Sequence, residues 1–257
     1  MNNRQNFRAQ KTSVPKNRLI IGRKPLIEAL KEAADIEKIF ILKTATGEEL
    51  AVIKTLARKL DIMLSYVPAE KLDKFTQANH QGVVAIAGLI KYQPLQGIID
   101  QVVDAGKVPL FVLLDGITDT RNLGAIARSA YSFGAQAIII PSANNAAVTE
   151  EGIKTSAGAL EKIPVCRVAS VQQAVDILKL NGIQVAATTL EAAKDISEAP
   201  LDEPIAIVMG AEDTGVSPYV LKTADHLVRI PMSDQFDSLN VSVATGIMLY
   251  QTFIQRK

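Results

Sequence analysis

Val108-Pro-Leu-Phe-Val-Leu-Leu114 is an almost unbroken apolar run that opens directly into Asp115-Gly-Ile-Thr-Asp-Thr-Arg-Asn-Leu-Gly-Ala-Ile-Ala-Arg128. A strand buried on both faces reads as a continuous apolar run, whereas a half-exposed strand alternates. Similar runs recur at 137–140, 185–187 and 205–209, and a further strand ends near Ile230-Pro231. Helical periodicity lies between them, over 122–133, 150–160, 171–180 and from 238 to about 255. The alternation predicts an α/β domain with a mostly parallel sheet over residues 108–257.

Working outward, residues 18–90 form a second, smaller α/β pattern. An amphipathic stretch covers 25–33, with Pro25 suited to a first helical turn, and strands and helices then alternate through 38–42, 48–60, 62–67, 69–75 and 82–87. Between them Pro94, Gly97, Gly106 and, just beyond, Pro109 break the periodicity. Residues 91–107 therefore read as a linker, with a short helix around 98–103. Residues 1–17 read as a disordered basic tail, since the first 18 residues hold Arg4, Arg8, Lys11, Lys16 and Arg18 and no acid. Such an arm suits contact with phosphates.

The chain has 257 residues, of which 48% are hydrophobic and 21% charged, with a net charge of +1, as expected for a globular protein with a real core. No run approaches the roughly 20 apolar residues of a membrane span, and no apolar signal stretch opens the chain, so a cytoplasmic location is expected. With Cys166 as the only cysteine and His80 and His226 as the only histidines, neither an internal disulfide nor a zinc site of the usual kind is expected. Cys166, within Ile163-Pro-Val-Cys-Arg-Val168, reads as a small buried hydrophobe.

Ligands in parallel sheets bind beyond the carboxyl ends of the strands, and three loops fall there. In the first, Asn122 is a plausible helix N-cap. Arg128 follows among Ala125, Ile126, Ala127 and Ala130, a surface where a cation needs a partner, either in a structural ion pair or in a ligand. The second, Ile207-Val-Met-Gly-Ala-Glu-Asp-Thr-Gly215, is a turn bounded by Gly210 and Gly215. It holds Glu212 near the strand tip, as an acceptor or merely as a solvated acid. The third, Ile230-Pro-Met-Ser-Asp-Gln-Phe-Asp-Ser-Leu-Asn-Val-Ser-Val-Ala244, leads into the last helix, which Ser238 is placed to cap; for Ser238 and Asn240 capping alone is one reading. The chain contains no Gly-x-Gly, so the dinucleotide fingerprint and the phosphate-binding P-loop are both missing.

Together these loops resemble the SpoU (TrmH) family of SPOUT RNA methyltransferases. Asn122, Gly124 and Arg128 match its Asn-x-Gly-x-x-x-Arg motif; Gly210, Glu212 and Gly215 match Gly-x-Glu-x-x-Gly; Ile230 to Met232 and Ser238 to Ser242 match Ile-Pro-Met and Ser-Leu-Asn-Val-Ser. Over the whole chain the resemblance is to the RlmB-type members, through Gly22-Arg-Lys-Pro-Leu-Ile-Glu-Ala-Leu30 and Asn79-His-Gln-Gly-Val-Val-Ala85. Thr120 and Asp213 depart from the family, which often has Pro and a small residue there. The resemblance implies S-adenosylmethionine as cofactor and no metal. It implies ribose 2′-O-methylation of a guanosine in large-subunit ribosomal RNA, with a transfer-RNA ribose, or a non-catalytic RNA-binding or ribosome-assembly role, as alternatives. It further implies a trefoil-knotted C-terminal domain, an N-terminal domain resembling a small ribosomal RNA-binding protein, and a homodimer. The implied catalytic residues are Arg128, Asn122, Glu212, Ser238 and Asn240. The implied cofactor-binding residues are Gly210, Ile230, Leu239, Met209, Met232 and Thr188.

Overall fold

A computed structural model describes residue 15 and residues 18–233 and 238–257. Arg4, Arg8, Lys11 and Lys16 of the expected tail lie outside the described residues. The chain divides into two compact units, Met1–Gly88 and Leu89–Lys257. Among the described residues no helix is long and apolar enough to cross a membrane, and no cluster of three or more His, Cys, Asp or Glu could hold a metal ion.

The first unit runs β1 (Leu19–Ile21), α1 (Arg23–Lys31), β2 (Ile36–Leu42), α2 (Glu48–Lys59), β3 (Met63–Val67), α3 (Ala69–Asp73) and β4 (Val83–Ala87). Its sheet has the order β1-β4-β2-β3, antiparallel except where β2 meets β3. Alternate strand residues face opposite ways. Ile39, Ile41, Val83 and Ala85 pack with Leu26 and Leu30 of α1 and Leu50 and Ile53 of α2. Phe40 and Val84 on the other face meet Leu72 of α3. Arg18 closes the unit by donating from Nε and Nη2 to the Ala87 carbonyl at 3.1 and 2.7 Å.

The second unit runs β5 (Tyr92–Gln93), α4 (Leu95–Asp104), β6 (Leu110–Asp115), α5 (Thr120–Ser132), β7 (Ala137–Pro141), α6 (Glu150–Thr155), β8 (Val165–Val168), α7 (Val171–Leu180), β9 (Gln184–Thr188), β10 (Lys194–Asp195), β11 (Ile205–Gly210), α8 (Pro218–Thr223), β12 (His226–Arg229) and α9 (Val241–Gln255). These strands form one eight-stranded sheet in the order β10-β12-β9-β11-β6-β7-β8-β5, and every pairing is parallel. The central strands are buried on both faces. Val112, Leu114, Ile207 and Met209 pack toward α5 and α9, while Phe111, Leu113, Ala206 and Val208 pack toward α4, α7 and α8. The central pair, β6 and β11, continues outward in opposite directions, to β7 and toward β12. Their carboxyl ends thus bound a crevice at a topological switch point.

The structure corrects several expectations. Residues 91–107 are not a linker: β5 joins the large sheet and α4 buries Leu95, Ile98, Ile99 and Val102 in its core. That spacing is an apolar helical stripe which Gly97 and Gly106 conceal. Asp119, not Asn122, caps α5, its side chain accepting from Arg121 N. Asn240, not Ser238, caps α9, accepting from Ser242 N. The expected helix over 150–160 ends at Thr155, where a loop with Ala157 at φ 50° and Gly158 at φ 84° turns the chain before a short 3-10 turn. Cys166 is fully buried, and burial pushes its thiol up to about 12, which leaves it an inert hydrophobe.

Candidate active site

At the switch point β11 runs into its turn. Ala211 and Gly215 exchange two backbone hydrogen bonds of 3.1 and 2.9 Å, which folds the chain back over Gly210. A Cβ on Gly210 would lie 2.2 Å from both Gly215 C and Val216 N, so only glycine permits the approach. The turn presents Glu212 toward the first and third loops. Glu212 Oε1 accepts from Asn122 Nδ2 at 3.0 Å, from Asn240 Nδ2 at 2.6 Å and from Val241 N at 3.3 Å. Asn240 Nδ2 also donates to Asn122 Oδ1 at 3.1 Å, and Asn240 Oδ1 accepts from Ser242 N at 3.0 Å. Thus one carboxylate ties together residues from three loops, at the N-terminus of a 15-residue helix whose dipole favours a negative charge.

The displaced caps follow from this arrangement. Asn122 lies in the first turn of α5 and spends its side chain on Glu212, which leaves Asp119 to cap. Arg121, donating from its side chain and its backbone N–H, holds the Asp119 carboxyl below the usual carboxylate range. The helix sits tightly against α6, because a Cβ on Gly124 would lie 2.4 Å from Gly152 O.

Beside the carboxylate knot lies an open cleft of about 480 Å³, within the size range of small-molecule sites. Thr188, Met209, Gly210, Ile230, Met232 and Leu239 all line it, together with Glu212 and Ser238. Apolar side chains from β11 and the third loop face polar backbone of the glycine turn. That mixture suits a ligand with an aromatic base at one end and charged groups at the other, and so fits S-adenosylmethionine. Ser238 is exposed and its side chain makes no hydrogen bond to a described residue; residues 234–237 just before it lie outside the described set. Arg128 stands apart from the cleft. It is exposed on α5, and among the described residues its guanidinium has neither an ion pair nor a hydrogen bond, so the structural pair that its small neighbours suggested does not form there. Sequence reasoning missed Asp115, Thr189, Glu191 and Arg229. The last three line the cleft, and Asp115 lies beneath the turn. Asp115 had a signal, an acid ending a fully buried strand; Thr189 and Glu191 lie in the loop after β9 and Arg229 ends the four-residue β12, none of which carries periodicity.

Comparison with known proteins accords with this geometry. A model of the SpoU rRNA Methylase family matches residues 109–250, and a model described as RNA 2′-O ribose methyltransferase substrate binding matches residues 19–93. A relative from Bacillus subtilis, named "Putative TrmH family tRNA/rRNA methyltransferase YacO", is 35% identical over 238 residues, 92% of this chain and 95% of its own. The AdoMet-bound rRNA methyltransferase from Sinorhizobium meliloti superposes with a TM-score of 0.59 at 27% identity, covering 92% of this chain and 87% of the other. The SpoU methyltransferase AviRb from Streptomyces viridochromogenes, in complex with AdoMet, shares the fold at a TM-score of 0.60 and 23% identity, over 93% and 90% of the two chains. With one family model spanning more than half of its length and a relative this similar over nine-tenths of it, the chain belongs to the SpoU (TrmH) family of S-adenosylmethionine-dependent RNA ribose 2′-O-methyltransferases.

Proposed function

We propose that this protein methylates the ribose 2′-hydroxyl of a guanosine in large-subunit ribosomal RNA, acting as a cytoplasmic homodimer with a knotted catalytic domain. The observation that carries the catalytic reading is the Asn122–Glu212–Asn240 knot at the end of the cleft. The ribosomal target is supported by the match of residues 109–250 to the SpoU rRNA Methylase family and by the Sinorhizobium meliloti neighbour, named an rRNA methyltransferase. Unit one supplies RNA contact, and Arg4, Arg8, Lys11, Lys16 and Arg18 add salt-sensitive attraction to phosphates. The homodimer is supported by α9. Val241, Thr245, Met248 and Leu249 face the core, while Val243, Tyr250 and Ile254 form an exposed apolar stripe on the other side. A helix apolar all round needs burial on both sides.

When bound, S-adenosylmethionine supplies an electrophilic methyl group. Thr188, Met209, Gly210, Ile230, Met232 and Leu239 would hold it. Glu212, Asn122, Ser238 and Asn240 orient the ribose, because in-line displacement needs the attacking oxygen at about 3–3.5 Å and aligned. Arg128 holds the target phosphate and lowers the cost of the developing alkoxide. Its guanidinium hardly deprotonates, so its contribution is positive charge, and the hydroxyl proton passes to the neighbouring phosphate or to water as the methyl leaves the sulfonium.

A second reading is a transfer-RNA ribose, favoured by relatives whose name covers both RNAs. Mapping ribose methylation in ribosomal and transfer RNA from cells with and without the protein separates the two. The expected result is loss of one 2′-O-methylguanosine from large-subunit RNA. Loss of a transfer-RNA ribose methyl, with ribosomal RNA unchanged, establishes the second reading instead.

A further inference from the structure

Asp115 ends β6 directly opposite Gly210 in the register of β11. The residue is 9% exposed, and Oδ2 accepts from the backbone N–H of Ser217 at 2.6 Å. A carboxylate acceptor makes such a bond shorter and stronger than a neutral one. The position matters because of what hangs from it. Ser217 closes the arm that returns from the turn, and the outgoing arm is fixed by β11 itself. Between the two arms lie the Ala211–Gly215 bridge and Glu212. The Ser217 hydroxyl cannot share the task, since Oγ is buried without a hydrogen-bond partner among the described residues. Asp115 also begins the loop that leads to α5 and Asn122. One buried carboxylate therefore joins the first loop to the second from beneath, as Glu212 joins them from above.

We infer that Asp115 is a positioning residue for methyl transfer: through Ser217 N it holds the 210–217 turn in the shape that forms one wall of the cofactor cleft and presents Glu212 to Asn122 and Asn240. Asp115 touches neither cofactor nor RNA. Without its acceptor the returning arm keeps a part-buried N–H with no partner, which favours opening of the turn toward water. Asparagine keeps an acceptor oxygen at the same reach, so the neutral variant preserves the anchor.

The inference rests on the cofactor occupying this cleft, and the experiment separates the two. S-adenosylmethionine and S-adenosylhomocysteine affinities are measured by calorimetry on the full chain and on Asp115→Ala, Asp115→Asn and Val220→Ala. The last loosens α8, where Val220 is fully buried, without removing the anchor. Asp115→Ala is expected to weaken both ligands at least tenfold. Its KM for the cofactor should rise by a similar factor, and kcat at saturating cofactor should fall as well, since Glu212 is no longer held against Asn122 and Asn240. Asp115→Asn should stay within threefold of the unaltered protein. Val220→Ala should lower Tm and leave both affinities unchanged. Should Asp115→Ala be recovered unfolded, Asp115→Ser, too short to reach Ser217 N, is judged by the same criterion. No binding by the unaltered protein overturns the cleft assignment and this role with it. Normal binding by the Ala or Ser variant overturns the role of Asp115 alone. Equal weakening by Val220→Ala shows general destabilisation and also overturns it.

Discussion

Arg128 is the residue on which the chemistry and the structure make separable demands. Its guanidinium is exposed and unpaired among the described residues, so removing it breaks no described ion pair. It does not line the cleft, so removing it takes no wall from the cofactor site. Arg128→Ala should therefore lower kcat by at least about 100-fold, the scale of losing one preorganised group at a developing charge. Cofactor affinity should stay within about threefold and Tm within about 2 °C, given that exposed substitutions usually cost under about 0.5 kcal/mol. Single-turnover methylation beside calorimetry checks this; parallel loss of both quantities would return the arginine to a structural role. The residue scale also shows where the sequence misleads. Asn122 and Asp119 are both good N-cap residues, and Arg121, two residues after Asp119, holds the latter in the capping position. Glu212, 90 residues away, then claims the Asn122 amide, a partner that no local pattern reveals.

At the scale of elements, legibility followed burial and length. β6 and β11, fully buried six-residue runs apart from the final glycine, announce themselves through unbroken apolar sequence. β5 and β10 have two residues each and carry no periodicity, so they exist only through their partners β8 and β12. The glycine motif was legible as a turn, but its steric reason was not: the 2.2 Å approach to Gly215 and Val216 is made by the chain folding back. Gly210→Ala places a methyl group against backbone, which cannot rotate away, so the turn must open. The expected outcome is a folded protein with lower Tm and at least tenfold weaker S-adenosylmethionine binding, read by thermal melting and calorimetry. Helix α9 allows a separate test. Its exposed stripe is spaced for one face, so Tyr250→Asp places a charge within it while leaving the inward residues Thr245, Met248 and Leu249 untouched. Sedimentation should then show a monomer with an unchanged circular dichroism spectrum. A persistent dimer would move the interface elsewhere.

For the whole molecule, the question is where the catalytic unit begins. The Pro and Gly residues around 94–109 suggest a start near Val108, but α4 lies upstream of that point and belongs to the core. Leu95, Ile98, Ile99 and Val102 are at most 7% exposed and pack in one cluster with Phe111, Leu113, Ile139 and Cys166. Burying each such side chain stabilises by about 1.5–3 kcal/mol. Four of them together contribute on the order of 10 kcal/mol, comparable with the roughly 5–15 kcal/mol that separates a folded domain from its unfolded chain. A fragment of residues 108–257 loses that contribution, together with edge strand β5 and the helix that packs on β8 beside α7, whereas a fragment of residues 89–257 keeps the whole sheet and both of its helical layers. The shorter fragment should be insoluble or molten, and the longer one should melt cooperatively and bind S-adenosylmethionine within about threefold of the full chain. The longer fragment lacks the whole of the first unit, including Arg18 and the sheet that matches the substrate-binding family. Every ribose offers the same hydroxyl, so choice of nucleotide must come from contacts with the shape and unpaired bases around it. Methylation of the natural RNA should accordingly fall at least tenfold in the 89–257 fragment while cofactor affinity holds. Circular dichroism melts of both fragments, with calorimetry and product mapping on the longer one, read all of these outcomes. A well-folded 108–257 fragment would show that α4 is dispensable packing, and undiminished modification of the same nucleotide by 89–257 would remove target choice from the first unit.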